Sequence, residues 1–207
     1  MVAIKSKDIS FIVMMAGPGL NGENILELQS RLIAKAEGES DVNINKMMEF
    51  NTKLYNIAIQ EKDSSKAEAK MHKVLDDFYS TMPDSIKNSP ESSKQNLYAQ
   101  TKTLLSPWFR FFLSYEPKEN LSKLKIPVLA IAGEHDLQVP PKENLAAIES
   151  ALKKAGNKNY KIIELPKLNH LFQTSVTGSP TEYSKIEETI APLALSTISD
   201  WILMVTK

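Results

Sequence analysis

The run Ile126-Pro127-Val128-Leu129-Ala130-Ile131-Ala132-Gly133-Glu134-His135-Asp136 is apolar until it stops at a glycine and then an acid. Apolar residues bounded by Pro127 and Gly133, with none of the alternation of a half-exposed strand, predict a strand buried on both faces, as in a parallel sheet covered by helices. Asp136 then lies just past the carboxyl end of that strand, where open α/β sheets place their chemistry. A second apolar run, Tyr160 to Leu165, leads into Pro166-Lys167-Leu168-Asn169-His170. Parallel pairing of the two strands brings Asp136 and His170 to one rim.

The segment between them, Pro141 to Gly156, reads as one helix. Leu145, Ile148, Ala151, Leu152 and Ala155 share a stripe, prolines stand at its start and Gly156 supplies a stop. The unit is strand, helix, strand. Pro-Val-Leu-Ala-Ile-Ala-Gly-Glu-His-Asp-Leu-Gln-Val-Pro, followed after one helix and one strand by Leu-Asn-His-Leu-Phe, resembles the acid and histidine segments of the serine α/β-hydrolase superfamily, of the bacterial esterase or serine aminopeptidase kind. There the triad runs Ser, then Asp or Glu, then His along the chain. The resemblance makes Asp136 the acid that orients the imidazole and His170 the general base.

Composition excludes other classes. Lys plus Arg and Asp plus Glu number 25 each, which gives no electrostatic case for nucleic acid or an anionic membrane surface. The 207 residues contain no cysteine, hence no disulfide framework or Cys-based metal site, and no apolar run long enough to span a membrane. No His or carboxylate pair shows ligand spacing, so no metal or other cofactor is expected.

Toward the amino end, Ile9 to Met15 reads as a third buried strand opening into Ala16-Gly17-Pro18-Gly19. Two lysines ahead of it imitate a secretory leader, but Asp8 interrupts them and Gly17-Pro18-Gly19 replaces a cleavage site. A cytoplasmic location is the default, with export expected if a signal lies upstream. In the resembling superfamily this strand follows the helix capped by the nucleophilic serine, so Met1 to Ile4 look like that helix's tail and the Gly-x-Ser-x-Gly elbow belongs upstream of Met1. The nearest imitation here, Gly38-Glu39-Ser40-Asp41-Val42, lacks the second glycine, and Ser40 or Asp41 is better read as a helix N-cap. The chain is therefore expected to be the C-terminal, truncated part of an α/β hydrolase: about three parallel strands with flanking helices. Alone it is expected to be inactive. Its sheet edge, unpaired beside the first strand, is expected to promote self-association.

From Gly22 to about Ser122 the strand runs give way to helical periodicity, with helices expected over Glu23–Lys35, Val42–Ile59, Lys66–Met82 and Lys94–Leu105 and a loop over Asp84–Ser93. A hundred residues between two strands of one sheet is too long for a simple crossover and reads as an all-helical cap, 22–122, inserted into a core formed by 1–21 and 123–207. Trp108, Phe109 and Phe112, in the densest aromatic run, are the expected walls of an apolar pocket. Pro18 and Gly19, at the mouth of the first strand, are further expected substrate-binding residues. Arg110 is either a carboxylate contact or an exposed cation with a packed stem. His72, between Lys70 and Lys73, reads as a solvated residue and His135 as loop lining. After His170 a polar loop without periodicity continues to Tyr183, and a final helix begins at Pro192.

The implied reaction is hydrolysis of a carboxylic ester or related small acyl substrate. A peptidase or thioesterase would share the machinery, and a non-catalytic binding or structural domain would keep the fold without the nucleophile.

Overall fold

A computed structural model describes residues 1–87 and 93–207. Strands β1 (Ile12–Met15), β2 (Val128–Gly133) and β3 (Tyr160–Leu165) form one parallel sheet in the order β1-β2-β3. Val128 pairs with Ile12 on one side and Tyr160 on the other, which sets all three carboxyl ends along one edge. Every residue of β2 is buried. The reason is visible in its two faces. Leu129 and Ile131 pack with Leu165 of β3 and with Ala194 and Trp201 of helix α9 (Pro192–Val205), while Val128, Ala130 and Ala132 pack with Leu145, Ile148 and Leu152 of helix α8 (Pro141–Lys154). Phe11 meets Trp201 edge to face at 5.7 Å. Burial of the larger aliphatic side chains on this central strand supplies roughly 1.5–3 kcal/mol each.

β1 is shorter than the expected Ile9–Met15, because pairing begins only where the Ile12 amide donates to the Pro127 carbonyl. Met1 to Ile4 do not continue an α-helix; Val2–Ile4 make a single 3₁₀ turn.

Helices between the first two strands are α1 (Gly22–Ala36), α2 (Asp41–Gln60), α3 (Ser64–Thr81), α4 (Asp84–Lys87), α5 (Lys94–Leu104), α6 (Pro107–Ser114) and α7 (Pro117–Leu121). Side-chain caps start several of them: Ser40 Oγ accepts from the Asn43 amide, and Asp63 Oδ1 from the Ser65 and Lys66 amides. Ser40 is thus a cap, not a nucleophile on a strand turn. The loop expected over Asp84–Ser93 opens with the short α4, started by the turn after Pro83; residues 88–92 lie outside the described residues.

The chain divides into two compact units, 1–39 with 116–207 and 40–115. α1 and α7, placed with the inserted segment in the sequence reading, group with the sheet. Asn21 Nδ2 donates to Glu116 Oε1 at 2.8 Å, and Pro117 and Leu121 are buried, with Leu121 packed against the α8 side of β2. The Asn21 amide, with the Lys118 ammonium beside it, holds the Glu116 carboxyl below the usual carboxylate range. Asn21→Ala is therefore expected to raise the Glu116 pKa toward its ordinary value in a carboxyl-carbon NMR titration. Because the folded pKa is the lower one, the stabilisation is present above the unfolded pKa and lost as pH falls through the folded value, so the variant's deficit should shrink on acidification.

In the unit 40–115, α2, α3, α5 and α6 pack around Ile44, Met48, Leu54, Met71, Leu75 and Leu113. The Arg110 guanidinium is committed internally, donating from Nη1 to the Glu61 carbonyl at 2.5 Å and from Nε to the Leu105 carbonyl at 3.2 Å. It is half-buried rather than exposed, and its Nη2 is buried without a hydrogen-bond partner. His72 also departs from the expected solvated residue. Its ring stacks on Tyr98 at 4.0 Å and its Nε2 is buried without a hydrogen-bond partner, because the α3 face that carries it packs on α5.

Candidate active site

Asp136 and His170 meet at the carboxyl edge of the sheet. His170 Nδ1 lies 2.9 Å from Asp136 Oδ2, with the carboxylate fully buried and the imidazole about a quarter exposed. The other carboxylate oxygen, Oδ1, accepts from the main-chain amides of Gln138 and Val139 at 2.9 and 2.8 Å. An ionised carboxylate only accepts, so Nδ1 carries the proton and Nε2 is left as the basic nitrogen. Three donors fix the carboxylate, and the carboxylate fixes the tautomer.

The loops that present the pair are braced separately. Past β2, the Glu134 amide donates to the Leu165 carbonyl and the His135 amide to the Leu168 carbonyl, which joins the two strand ends. Glu134 Oε2 accepts from the Lys167 amide at 2.8 Å. Lys167 and Phe172 adopt left-handed backbone conformations, φ 60° and 61°, on either side of His170. Such residues require local support. Buried Asn169 gives it: Oδ1 accepts from the amides of Leu171 and Gln173, and Nδ2 donates to Gln173 Oε1 at 3.0 Å. His135, expected only to line the loop, places Nδ1 3.1 Å from the Ser175 carbonyl and so fastens the segment beyond His170. That segment is not wholly irregular, since Pro180–Lys185 form a 3₁₀ helix capped by Ser179.

Gly19 and Pro18 sit past β1. Pro18 is exposed, whereas Gly19 is buried and its amide donates to Asn144 Oδ1 at 2.9 Å, with the Leu20 amide at 3.3 Å. Asn144 Nδ2 in turn donates to the Pro140 carbonyl. Gly19 borders a cleft of about 530 Å³ lined also by Asn21, Glu116, Lys118, Ser150 and Lys154. Neither Asp136 nor His170 lines it. Trp108, Phe109 and Phe112 belong to the helical unit, on α6. There Trp108 is 68% exposed and stacks in parallel on Phe112 at 5.5 Å, with Phe109 edge-on to both.

Sequence reasoning passed over Gln138, Asn144, Asn169 and Tyr183. Gln138 Nε2 donates to the Tyr183 hydroxyl at 3.0 Å, and Gln29 of α1 reaches Gln138 Oε1 at 3.4 Å. Only Asn169 had a local signal, a side chain able to close an Asx turn next to the histidine. Among the described residues, no group of three His, Asp or Glu is placed to hold a metal ion, and no helix is long and apolar enough to cross a membrane.

No curated protein and no solved structure shows a significant match to the chain. Residues 42–189, well over half of the sequence, match the prolyl oligopeptidase family, and the matched span contains both Asp136 and His170. With the parallel sheet and the paired acid and imidazole at its rim, this shows that the chain belongs to the prolyl oligopeptidase family of serine α/β-hydrolases.

Proposed function

We propose that Asp136 and His170 are the acid and general base of a Ser-His-Asp triad that hydrolyses a carboxylic ester or related acyl bond. The observation that carries this reading is the 2.9 Å bond from the imidazole to a fully buried carboxylate at the strand ends. His170 Nε2 takes the proton from a serine hydroxyl as it attacks the acyl carbon, then passes it to the leaving group; a water molecule repeats the sequence to free the acid. Asp136 holds the tautomer and stabilises the imidazolium. No Gly-x-Ser-x-Gly run occurs in residues 1–207, so the reading assigns the serine to a segment beyond them. It also keeps the helical unit, 40–115, as the cap, without α1 and α7, and Pro18 and Gly19 past β1 as substrate contacts. The match to a peptidase family favours a peptide bond as the second reading, served by the same residues.

Hydrolysis of p-nitrophenyl acetate beside a peptide p-nitroanilide tests both, using this chain and the same chain extended upstream through a Gly-x-Ser-x-Gly segment. Activity is expected in the extended form alone, and it should disappear on His170→Ala. Preference for the anilide assigns a peptidase. His170-dependent activity in the 207-residue chain would place the nucleophile within it, and inactivity of both forms would leave a non-catalytic domain.

A further inference from the structure

We propose that Tyr183 and Gln138 form a clamp that holds the His170 loop against the acid loop, and that Tyr183 is thereby a positioning residue for the imidazole. The inference rests on the assignment of His170 as the base.

Each loop is stiffened from within, the acid loop by Asp136 Oδ1 and the histidine loop by Asn169. The two loops are joined at the strand ends through Glu134 and the His135 amide, and beyond His170 through His135 Nδ1, which lies 3.1 Å from the Ser175 carbonyl. The imidazole lies on a turn between two left-handed residues, Lys167 and Phe172. Tyr183 adds a further link from the far side. Its 3₁₀ helix is anchored to the same segment, with Glu182 accepting from the amides of Thr177 and Gly178 and Ser179 Oγ accepting from the Thr181 amide. From there the phenol oxygen accepts from Gln138 Nε2 at 3.0 Å. That bond joins the residue two past the acid to the segment that follows the base. Gln138 is bound at both ends, since its own amide donates to Asp136 Oδ1 and its side-chain carbonyl faces Gln29. Burial pushes the Tyr183 phenol up, and the Asp136 charge adds to it, so the junction stays protonated through the neutral range.

The test follows the ring proton of His170 by ¹⁵N NMR in the folded 207-residue chain. In the wild type a single tautomer with a slowly exchanging Nδ1–H is expected. Tyr183→Phe keeps the ring and removes the oxygen. It should accelerate exchange of the Nδ1–H by about tenfold and populate the Nε2–H tautomer. Gln138→Ala should do the same from the opposite loop, and the double variant should add little, as for two halves of one link. Unchanged exchange and tautomer in both single variants would overturn the clamp while leaving the acid–base pair intact. A fall in melting temperature with an unaltered ring signature would reduce Tyr183 to packing and overturn it too. A wild-type ring already protonated at Nε2 would instead remove the underlying assignment.

Discussion

Asp136→Ala destabilises the unit that contains the sheet by about 3–5 kcal/mol, the range for removing one partner of a buried, hydrogen-bonded charge pair. The carboxylate accepts three hydrogen bonds, from the amides of Gln138 and Val139 and from His170 Nδ1, at a residue 1% exposed. Alanine leaves all three donors without an acceptor. A buried donor left unmade costs about 1–3 kcal/mol, and partial access of water to the loop amides keeps the sum below three full penalties. Asp136→Asn separates the structural from the chemical part. The asparagine carbonyl can serve the two amides, so the loss in denaturant unfolding should stay within about 1.5 kcal/mol. Its NH₂ then faces the imidazole, which must accept at Nδ1 and carry its proton at Nε2. The basic nitrogen is thereby moved to the wrong side of the ring, and in the active protein the rate should fall by about 10⁴, the effect of the corresponding tautomer error in serine proteases. Equal, small losses in both variants, or an Asp136→Asn protein with Nδ1 still protonated, would show that the carboxylate does not hold the ring.

What could be read from sequence was what neighbours along the chain decide. β2 was legible because six adjacent residues are all buried, and α8 because prolines and Gly156 mark its ends. The approach of Asp136 to His170 followed from strand, helix, strand alone. The missing parts are bonds between segments far apart in sequence. Asn144 sits in the first turns of α8 among Lys142 and Glu143 and looks like an exposed polar position, yet its partners are the amides of Gly19 and Leu20 on another element. Gln138 and Tyr183 are 45 residues apart with an intervening strand, and no periodicity links them. His72 misled for the same reason: flanking lysines suggested water, but the ring's neighbour is Tyr98 on α5. The 3₁₀ helix at Pro180 did carry a local mark, Ser179 before a proline, in a stretch whose lack of an apolar stripe concealed it.

Gly133 marks where local reading stops short of the physical reason. As a strand terminator it could be replaced by any small residue; the structure makes it a point of contact between the loops that carry Asp136 and His170. A Cβ built at Gly133 would lie 2.7 Å from the Asn169 carbonyl oxygen and closer still to the Leu168 carbonyl. These are main-chain atoms, and Leu168 is held in place because its carbonyl accepts from the His135 amide at 2.9 Å. No rotamer change relieves the overlap. Gly133→Ala must drive the histidine loop off the end of β2, breaking the His135 bond and pulling His170 from Asp136. Overpacking in cores costs about 1–3 kcal/mol when side chains can yield, and the fixed backbone here puts the expected loss at about 3 kcal/mol or more. At this size of protein that corresponds to a drop in melting temperature of about 6–12 °C. The slowly exchanging His170 Nδ1–H should vanish in the same variant, since the displaced segment is the one that carries the ring. A variant that melts like the wild type and keeps that proton would mean that the strand end and the histidine loop are not in contact, and the acid–base pair would lose the geometry on which its assignment depends.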